Sequence, residues 1–266
     1  MSERIALVTG ATRGLGRGVA LALADAGWTV WCTGRTQTGP RSLEATAEAV
    51  TARGGLARPF VCDHADDAAV ASLFAAITGE HGRLDLLVNN VFAIPSVDIW
   101  SKPFWELPID QWDTMHTVGL RSHFVASHHA VPLLKRGRNP LIATIGSFAG
   151  AGYQLNVAYG VGKAGVDRLA VDMARELKRH GVASVSLWPG IVDTEWVLSR
   201  PDLPFPKEPR ESPEFTGRAI LALASDPDLM DKTGRVHVVA ELAEVYGFDD
   251  IDGTRPPSLR TLMERR

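Results

Sequence analysis

The chain has 266 residues, which is enough to bury a sizeable hydrophobic core, and its formal net charge is -3 at pH 7. This charge and the absence of a basic run give no reason to expect a nucleic-acid partner. No stretch reaches the roughly 18 uncharged apolar residues of a membrane span, and no secretory leader pattern is evident, so the cytoplasm is the expected location.

Seven short apolar segments alternate with helical patterns along the chain. Their nearly continuous apolar character is typical of parallel strands that are buried on both faces. Right-handed crossovers between them predict one α/β domain over residues 1–266, a doubly wound, seven-stranded parallel sheet with helices on both faces and the ligand at the carboxyl ends of the strands. The predicted strands are Ile5 to Thr9, Thr29 to Thr33, Ala57 to Cys62, Leu84 to Asn89, Leu141 to Ile145, Ala183 to Trp188 and Val236 to Val239.

The first predicted strand runs into a glycine-rich turn, Thr9-Gly-Ala-Thr-Arg-Gly-Leu-Gly16, which is followed by a helical pattern. Glycines allow the backbone to approach a phosphate closely, and a helix N-terminus offers unpaired N–H groups and a favourable dipole. The spacing Gly-x-x-x-Gly-x-Gly therefore predicts a nucleotide-binding turn, with a ligand-free turn as the alternative. The residues expected to contact a cofactor here are Gly10, Thr12, Arg13, Gly14, Leu15 and Gly16.

Tyr159 and Lys163 lie four residues apart, so they share one face of a predicted helix. An ammonium beside the phenol stabilises the phenolate, and we expect it to lower the pKa of Tyr159 from the ordinary value of about 10. Alone, such a pair most often marks a solvated helix edge. The upstream Ser147 and the glycine turn favour a chemical role instead.

The order of these motifs resembles that of the short-chain dehydrogenase/reductase family, from Ile5 to about Leu242. The resemblance implies a Rossmann-type fold and a nicotinamide cofactor, with Ser147, Tyr159 and Lys163 as catalytic residues. It also implies that Lys163 holds the nicotinamide ribose and that Thr194 orients the carboxamide. Its further implied cofactor contacts are Asp63, Asn89, Tyr159, Lys163, Pro189, Gly190, Val192 and Thr194.

Three segments are most similar to one subgroup of that family, the vertebrate dehydrogenase/reductase member 1 proteins. These segments are Val118-Gly-Leu-Arg121, Tyr159-Gly-Val-Gly-Lys163 and Ser186-Leu-Trp-Pro-Gly-Ile-Val192.

The end of the second predicted strand predicts the choice of cofactor. Enzymes specific for NAD commonly place an acid there to hold the ribose 2'-hydroxyl, whereas a 2'-phosphate needs cations. Gly34 takes the acidic position, Arg35 follows it, and Arg13 in the glycine turn can approach from the other side. Two guanidiniums can bracket a phosphate with charge-assisted bonds, so we predict NADP(H), with a pair of solvated arginines as the alternative.

Two positions depart from the family pattern. Gly119 replaces an Asn that helps to hold a water between the lysine and solvent, and Val91-Phe92 replaces the Ala-Gly that usually follows two asparagines. A glycine tolerates a helix irregularity that exposes its backbone carbonyl. In that case, the water between the lysine and solvent is held by the Gly119 carbonyl alone, or His116 or His123 takes the place of the missing side chain.

Two irregular stretches, at about 91–110 and 191–215, leave the sheet on the ligand side and are predicted to be substrate loops. They are rich in aromatic residues and lack an evident lysine or arginine cluster, which predicts a neutral, apolar carbonyl substrate. In the alternatives, the aromatics pack the loops onto the domain or touch a membrane surface, which acidic neighbours disfavour. These aromatic residues are Phe92, Trp100, Phe104, Trp105, Trp196 and Phe205.

The sequence leaves two classes of function open. The first is an NADP(H)-dependent oxidoreductase that interconverts a carbonyl and an alcohol, with Tyr159 as general acid or base, acting either as a carbonyl reductase or mainly in the alcohol-oxidising direction. Enoyl reduction is a weaker alternative within this class. The second is a cofactor-binding or sensing protein with weak turnover, for which Gly119 is the supporting feature.

The expected partners are a small substrate and further copies of the chain. The helix that begins near Val157 carries apolar residues around much of its circumference, which predicts burial in a homodimer or homotetramer. Cys32 and Cys62 fall in apolar segments, which predicts buried free thiols, and no metal site is predicted.

Overall fold

The computed structural model describes residues 3–93, 102–201 and 209–263. Seven strands in this part of the chain form one sheet: β1 (Ile5–Val8), β2 (Thr29–Gly34), β3 (Leu56–Val61), β4 (Leu86–Asn89), β5 (Leu141–Ile145), β6 (Ala183–Trp188) and β7 (Val236–Val238). All neighbouring strands are parallel, in the order β3-β2-β1-β4-β5-β6-β7. The predicted seven-stranded parallel sheet is confirmed, with small shifts at some strand ends.

Helices connect the strands and cover the sheet. They are α1 (Gly14–Asp25), α2 (Leu43–Ala52), α3 (Asp67–His81), α4 (Asp110–His116), α5 (Ser122–Leu134), α6 (Val157–Leu177), α7 (Glu195–Leu198), α8 (Pro213–Ser225), α9 (Val239–Tyr246) and α10 (Leu259–Met263). A π-helical turn, Thr117–Arg121, joins α4 to α5. Polar side chains cap several first turns, as Asp66 does for α3 and Asn156 for α6.

The core consists of two apolar layers, one on each face of the sheet. Side chains of α1, α2, α8 and α9 pack on one face, and side chains of α3 and α5 pack on the other together with Leu177 of α6. Strands β1, β2, β4, β5 and β6 are fully buried between these layers. This burial explains why their sequences are apolar without alternation.

The expectation that all seven strands are buried on both faces is wrong for strand β3. It is an edge strand of the sheet, and Leu56 and Val61 at its ends are exposed. Pro59 within it is tolerated because an edge strand leaves one side of its backbone unpaired.

The expectation that every crossover is right-handed is wrong for the connection from β6 to β7. Helix α8 packs against α1, on the opposite face of the sheet from α5, so this connection departs from the right-handed crossover that we expect throughout.

The carboxyl ends of the central strands lie along one edge of the sheet, which is where ligands bind in open α/β sheets. The strand order reverses between β1 and β4, and the backbone N–H of Asn90 donates to Thr9 Oγ1 there at 2.9 Å. Cys32 and Cys62 are buried free thiols, as predicted. Among the described residues, no helix has the length and apolar character needed to cross a membrane.

Candidate active site

The turn after β1 needs glycine at three positions. Gly10 and Gly14 have φ of +69° and +53°, in the left-handed region that disfavours other residues. A Cβ at Gly16 would overlap the carbonyl oxygen of Gly10 and the side-chain amide of Asn90. The backbone therefore passes close to its neighbours, and these three residues place no side chain of their own over the N-terminus of α1.

Asn90 supports the glycine turn, and the sequence motif did not single it out from Asn89. Its Nδ2 donates to the carbonyl oxygens of Thr9 at 2.8 Å and Gly10 at 3.1 Å. Asn89 is fully buried, and its Nδ2 donates to Ser127 Oγ at 2.9 Å. The side chain of Asn89 thus holds β4 against α5, and its contact with a cofactor stays a prediction.

The segment after β6 lies beside the glycine turn. The N–H of Gly14 donates to Glu195 Oε2 at 3.0 Å, and a Cβ at Gly14 would lie 3.3 Å from Thr194 Cγ2. The start of α1 thus binds an anionic oxygen of the chain itself, as the dipole of a helix favours. The hydroxyl of Thr194 accepts from the N–H of Val197 at 3.3 Å and caps α7.

Glu211 holds the segment that begins at Pro189, and nothing in the sequence pattern indicated it. Its carboxylate accepts the N–H of Gly190, and its backbone pairs with that of Ile191 and Asp193 at 2.9 Å in both hydrogen bonds. Burial raises the pKa of Glu211 to about 7, and the Gly190 hydrogen bond opposes that rise. Val192 is buried and bridges to Glu211, so this segment is fixed from behind.

The residues predicted to choose the cofactor lie at the ends of β2 and β3. Arg35 is exposed by 74%, and its Nη1 lies 3.7 Å from Asp63 Oδ2. Arg13 is exposed at the N-cap of α1. A Cβ at Gly34 would lie 2.5 Å from Thr12 Cγ2, so an acid at position 34 fits only if Thr12 moves.

The structure brings the three predicted catalytic residues together. Ser147 follows β5, and its side chain is hydrogen-bonded to the Tyr159 hydroxyl. Asn156 caps α6 by accepting the N–H of Tyr159 at 2.9 Å, which places Tyr159 in the first turn of that helix. Lys163 follows one turn later, is buried, and donates from Nζ to the carbonyl oxygen of Ile145 at 2.9 Å.

The pKa of Tyr159 is raised, not lowered as expected from the sequence. Burial is the main cause, and the hydrogen bond with Ser147 opposes it. Lys163 Nζ lies 5.9 Å from the centre of the Tyr159 ring, and burial lowers its own pKa to about 8 against the opposing charge of Asp167. A raised pKa keeps the phenol protonated near neutral pH, which suits a proton donor.

Phe92 explains both departures from the family pattern. A Cβ at position 119 would lie 2.7 Å from Phe92 Cδ2, so the ring leaves room for glycine only. The same ring lies edge-on to Tyr159, with centroids 5.8 Å apart, and 5.3 Å from Lys163 Nζ. The two substitutions are therefore one feature, a ring packed against the tyrosine and the lysine.

Gly119 lies in the π-helical turn Thr117–Arg121, an irregularity of the kind that a glycine tolerates, and it is buried there. His123 Nε2 is hydrogen-bonded to the carbonyl of Val91 at 3.0 Å, and burial lowers its pKa to about 3. His123 is therefore neutral near pH 7 and anchors the segment that carries Phe92. His116 Nδ1 is bonded to the Trp112 carbonyl at 2.8 Å, and the water relay stays a prediction.

We expect Gly119→Ala to destabilise the protein by about 1–3 kcal/mol, because the new methyl group overlaps the Phe92 ring. Urea unfolding measures this change. The control is Gly79→Ala in α3, where a Cβ meets nothing within 4 Å and helix propensity favours alanine. Adding Phe92→Leu should restore part of the loss, and equal stabilities of the two alanine variants would contradict the packing argument.

Apolar side chains surround Tyr159 on the side of the first predicted substrate loop. Leu107, Met115 and Ala158 form a buried cluster against which Phe92 and Tyr159 pack.

Farther along this loop, Phe104 and Trp105 are 58% and 72% exposed. The alternative that these two rings pack onto the domain is therefore wrong. In the second loop, Trp196 is partly buried and stacks with Arg200, whose guanidinium carbon lies 5.4 Å from the ring centroid. Trp100 and Phe205 lie outside the described residues.

The assembled residues fit a nicotinamide dinucleotide. The glycine turn brings the N-terminus of α1 to this edge of the sheet, where Glu195 binds the Gly14 N–H. Lys163 places an ammonium at the end of β5, and the segment after β6 lies beside the glycine turn. Ser147 and Tyr159 present two hydroxyls at the same edge of the sheet. Among the described residues, no cluster of His, Cys, Asp and Glu could hold a metal ion.

Comparison with known proteins agrees with this arrangement. The family model of the short chain dehydrogenases matches residues 4–202, and the chain belongs to the short-chain dehydrogenase/reductase family. Its members are oxidoreductases that transfer hydride with NAD or NADP.

Among its relatives are dehydrogenase/reductase SDR family member 1 of Mus musculus, 43% identical, and that of Homo sapiens, 42% identical. Each alignment covers 95% of this chain and 85% of the relative, which confirms the predicted subgroup. The chain is also similar to the crystal structure of a protein assigned as a dehydrogenase from Xanthomonas campestris. The TM-score is 0.82 at 26% identity, over 95% of this chain and 93% of the other.

Proposed function

We propose that the protein is an NADP(H)-dependent carbonyl reductase that acts on neutral, apolar aldehydes, ketones or quinones. The observation that carries the proposal is the hydrogen bond between Ser147 and Tyr159, with buried Lys163 one helical turn away and the glycine turn at the same sheet edge.

The chemistry follows from what these side chains can donate. When bound, NADPH would supply a hydride to the carbonyl carbon, and negative charge would develop on the carbonyl oxygen. The hydroxyls of Ser147 and Tyr159 stabilise this charge because both can donate a hydrogen bond to it. Tyr159 Oη then releases its proton to that oxygen, which completes the alcohol.

The raised pKa of Tyr159 keeps the phenol protonated near neutral pH, the form that carbonyl reduction needs. Alcohol oxidation needs the phenolate as a base, and burial disfavours that charged form. Alcohol oxidation is the reverse of the proposed reaction, and it gains at alkaline pH and at a high ratio of oxidised to reduced cofactor.

A cofactor-binding or sensing protein with weak turnover is the alternative function, and Gly119 is its support. The Phe92 ring offers a packing reason for glycine at this position, which favours the reductase. The two functions can be distinguished by measuring the oxidation of NADPH in the presence of ketones of increasing apolar size. The series includes one charged analogue. We expect kcat/KM to rise with apolar size. A protein that binds NADPH and reduces none of them would be the sensor.

Arg13 and Arg35 are proposed to bind the 2'-phosphate of NADPH. We expect NADPH to bind at least about tenfold more tightly than NADH, a difference of about 1.4 kcal/mol. Arg35→Ala should remove most of this preference and leave NADH affinity unchanged, because only the phosphate meets the guanidinium. Calorimetric titration with both cofactors measures the change.

A matched control for this titration is Arg179→Ala. Arg179 is an exposed arginine between α6 and β6, at the opposite edge of the sheet. The Arg179→Ala substitution should leave the affinities for NADPH and NADH unchanged. Equal affinities for NADPH and NADH in the unaltered protein would refute the assignment. Placing an acid at position 34 is a poorer test, because Thr12 occupies that space.

The protein is proposed to form a homodimer or homotetramer through the surface of α4, α5 and α6. Large apolar side chains stay exposed there: Trp112, Phe124, Val157, Val161 and Val171. Burial of this surface against a second copy removes apolar area from water. A monomeric mass at micromolar concentration would contradict this assembly.

The cytoplasm remains the proposed location, because Cys32 and Cys62 are buried and form no disulfide, which a reducing compartment accommodates.

A further inference from the structure

Asp167 lies in α6, one turn beyond Lys163, and is bonded to the end of β6. Its Oδ1 accepts from Ser186 Oγ at 2.5 Å and from Trp188 Nε1 at 3.0 Å, and Trp188 Nε1 also lies 3.1 Å from Oδ2. An indole N–H can only donate, so Asp167 is the acceptor in that pair. The carboxylate thus ties α6 to the residue that immediately precedes Pro189.

The same carboxylate also contacts the loop that carries Ser147. A Cβ at Gly146 would lie 2.6 Å from Asp167 Oδ1, and a Cβ at Gly150 would overlap Oδ2. These glycines flank Ser147 closely on both sides. Asp167 therefore sits where three segments meet: the helix of Tyr159 and Lys163, the Ser147 loop, and the end of β6.

Asp167 and Lys163 lie four residues apart on one face of α6, so the charge of Asp167 acts on Lys163. Burial lowers the pKa of Lys163 to about 8, and Asp167 opposes this effect. The other groups that face the lysine carry no negative charge near pH 7: Tyr159 of α6, whose pKa is raised, and His123 of α5, whose pKa is about 3. In the part of the chain that the structure describes, Asp167 is the acidic side chain that stabilises this ammonium.

We propose that Asp167 is a positioning residue that keeps Lys163 charged and holds α6 against the Ser147 loop and the end of β6. The inference rests on the proposed function, because that function assigns the Lys163 ammonium to the cofactor ribose. It concerns a side chain that contacts neither the substrate nor the reacting atoms.

The test is the pH dependence of NADPH binding, followed by fluorescence titration from about pH 6 to about pH 9. In the unaltered protein, affinity should fall above about pH 8, where Lys163 loses its proton. Asp167→Asn keeps the shape and an acceptor oxygen but removes the charge. We expect its affinity to fall about one pH unit lower and to stay within about threefold of the unaltered protein at pH 6.

Two variants separate charge from structure. Asp172→Asn removes an exposed carboxylate of the same helix, which is paired with Arg168, and should change nothing. Trp188→Phe removes the indole N–H and keeps the charge of Asp167, so it should keep the pH at which affinity falls. Should Asp167→Asn not fold, Asp167→Ser is the second neutral variant, with the same expected shift.

The outcomes distinguish this inference from the proposed function. The role of the charge is overturned if the Asp167→Asn protein binds NADPH equally weakly at every pH. It is also overturned if the variant has the same pH profile as the unaltered protein. An unaltered protein that binds NADPH but reduces no carbonyl overturns the proposed function, whereas the binding profile still decides the role of Asp167.

Discussion

Tyr159→Phe is expected to lower kcat for carbonyl reduction by about 10²–10⁴-fold, because it removes the proton donor. The ring is kept, so its packing against Phe92 should persist. NADPH affinity should therefore change by less than about threefold, a free-energy difference of roughly 0.7 kcal/mol. Steady-state kinetics together with cofactor titration separate the two effects.

The matched control is Tyr153→Phe. Tyr153 is exposed, and its hydroxyl makes a single long hydrogen bond of 3.5 Å to the carbonyl of Leu155. That variant should keep the kcat of the unaltered protein. A Tyr159→Phe protein that retained most of its kcat would show that Tyr159 is not the acid.

Lys163→Ala is expected to lower both kcat and cofactor affinity, each by at least about tenfold. The ammonium is buried and bonded to the carbonyl of Ile145, and its charge has two proposed uses, the ribose hydroxyls and the tyrosine proton. Because Lys163 is protonated below about pH 8, activity of the unaltered protein should fall above that pH. The variant should lose this alkaline decline along with most of its activity.

The control for this variant is Lys178→Ala, at an exposed lysine just beyond the end of α6. It should leave kcat, affinity and the pH profile unchanged. A Lys163→Ala protein with lowered kcat but unaltered NADPH affinity would confine the lysine to the proton step and remove its assignment to the ribose.

Features that depend on local pattern could be predicted from the sequence. The glycine spacing specified the turn after β1, and the four-residue spacing of Tyr159 and Lys163 placed both on one helical face. Alternation of apolar segments with helical patterns gave all seven strands. The strand-end rule placed the segment that carries Ser147 at the ligand edge, and the family resemblance implied that Ser147 acts with Tyr159.

Features that depend on packing between distant segments could not be predicted. Gly119 and Phe92 are 27 residues apart, and their connection is a matter of side-chain volume that the sequence does not display. The hydrogen bond of Asp167 with Trp188 and that of Glu211 with Gly190 likewise join segments whose approach depends on the folded sheet edge.

The pKa of Tyr159 was predicted in the wrong direction for a related reason. Sequence spacing reveals a neighbouring ammonium but not the extent of burial, and burial is the larger effect here. The burial of β3 was overestimated because an apolar segment looks the same at the edge of a sheet as at its centre.

Transfer of deuterium from NADPH that carries deuterium at both C4 positions of the nicotinamide tests the central claim most directly. The labelled cofactor is incubated with an apolar ketone and the protein, and the mass of the alcohol product is determined by mass spectrometry. We predict one deuterium on the carbinol carbon, with the transfer lost in Tyr159→Phe. An unlabelled alcohol, or no alcohol while NADPH remains tightly bound, would contradict the assignment of the protein as a carbonyl reductase.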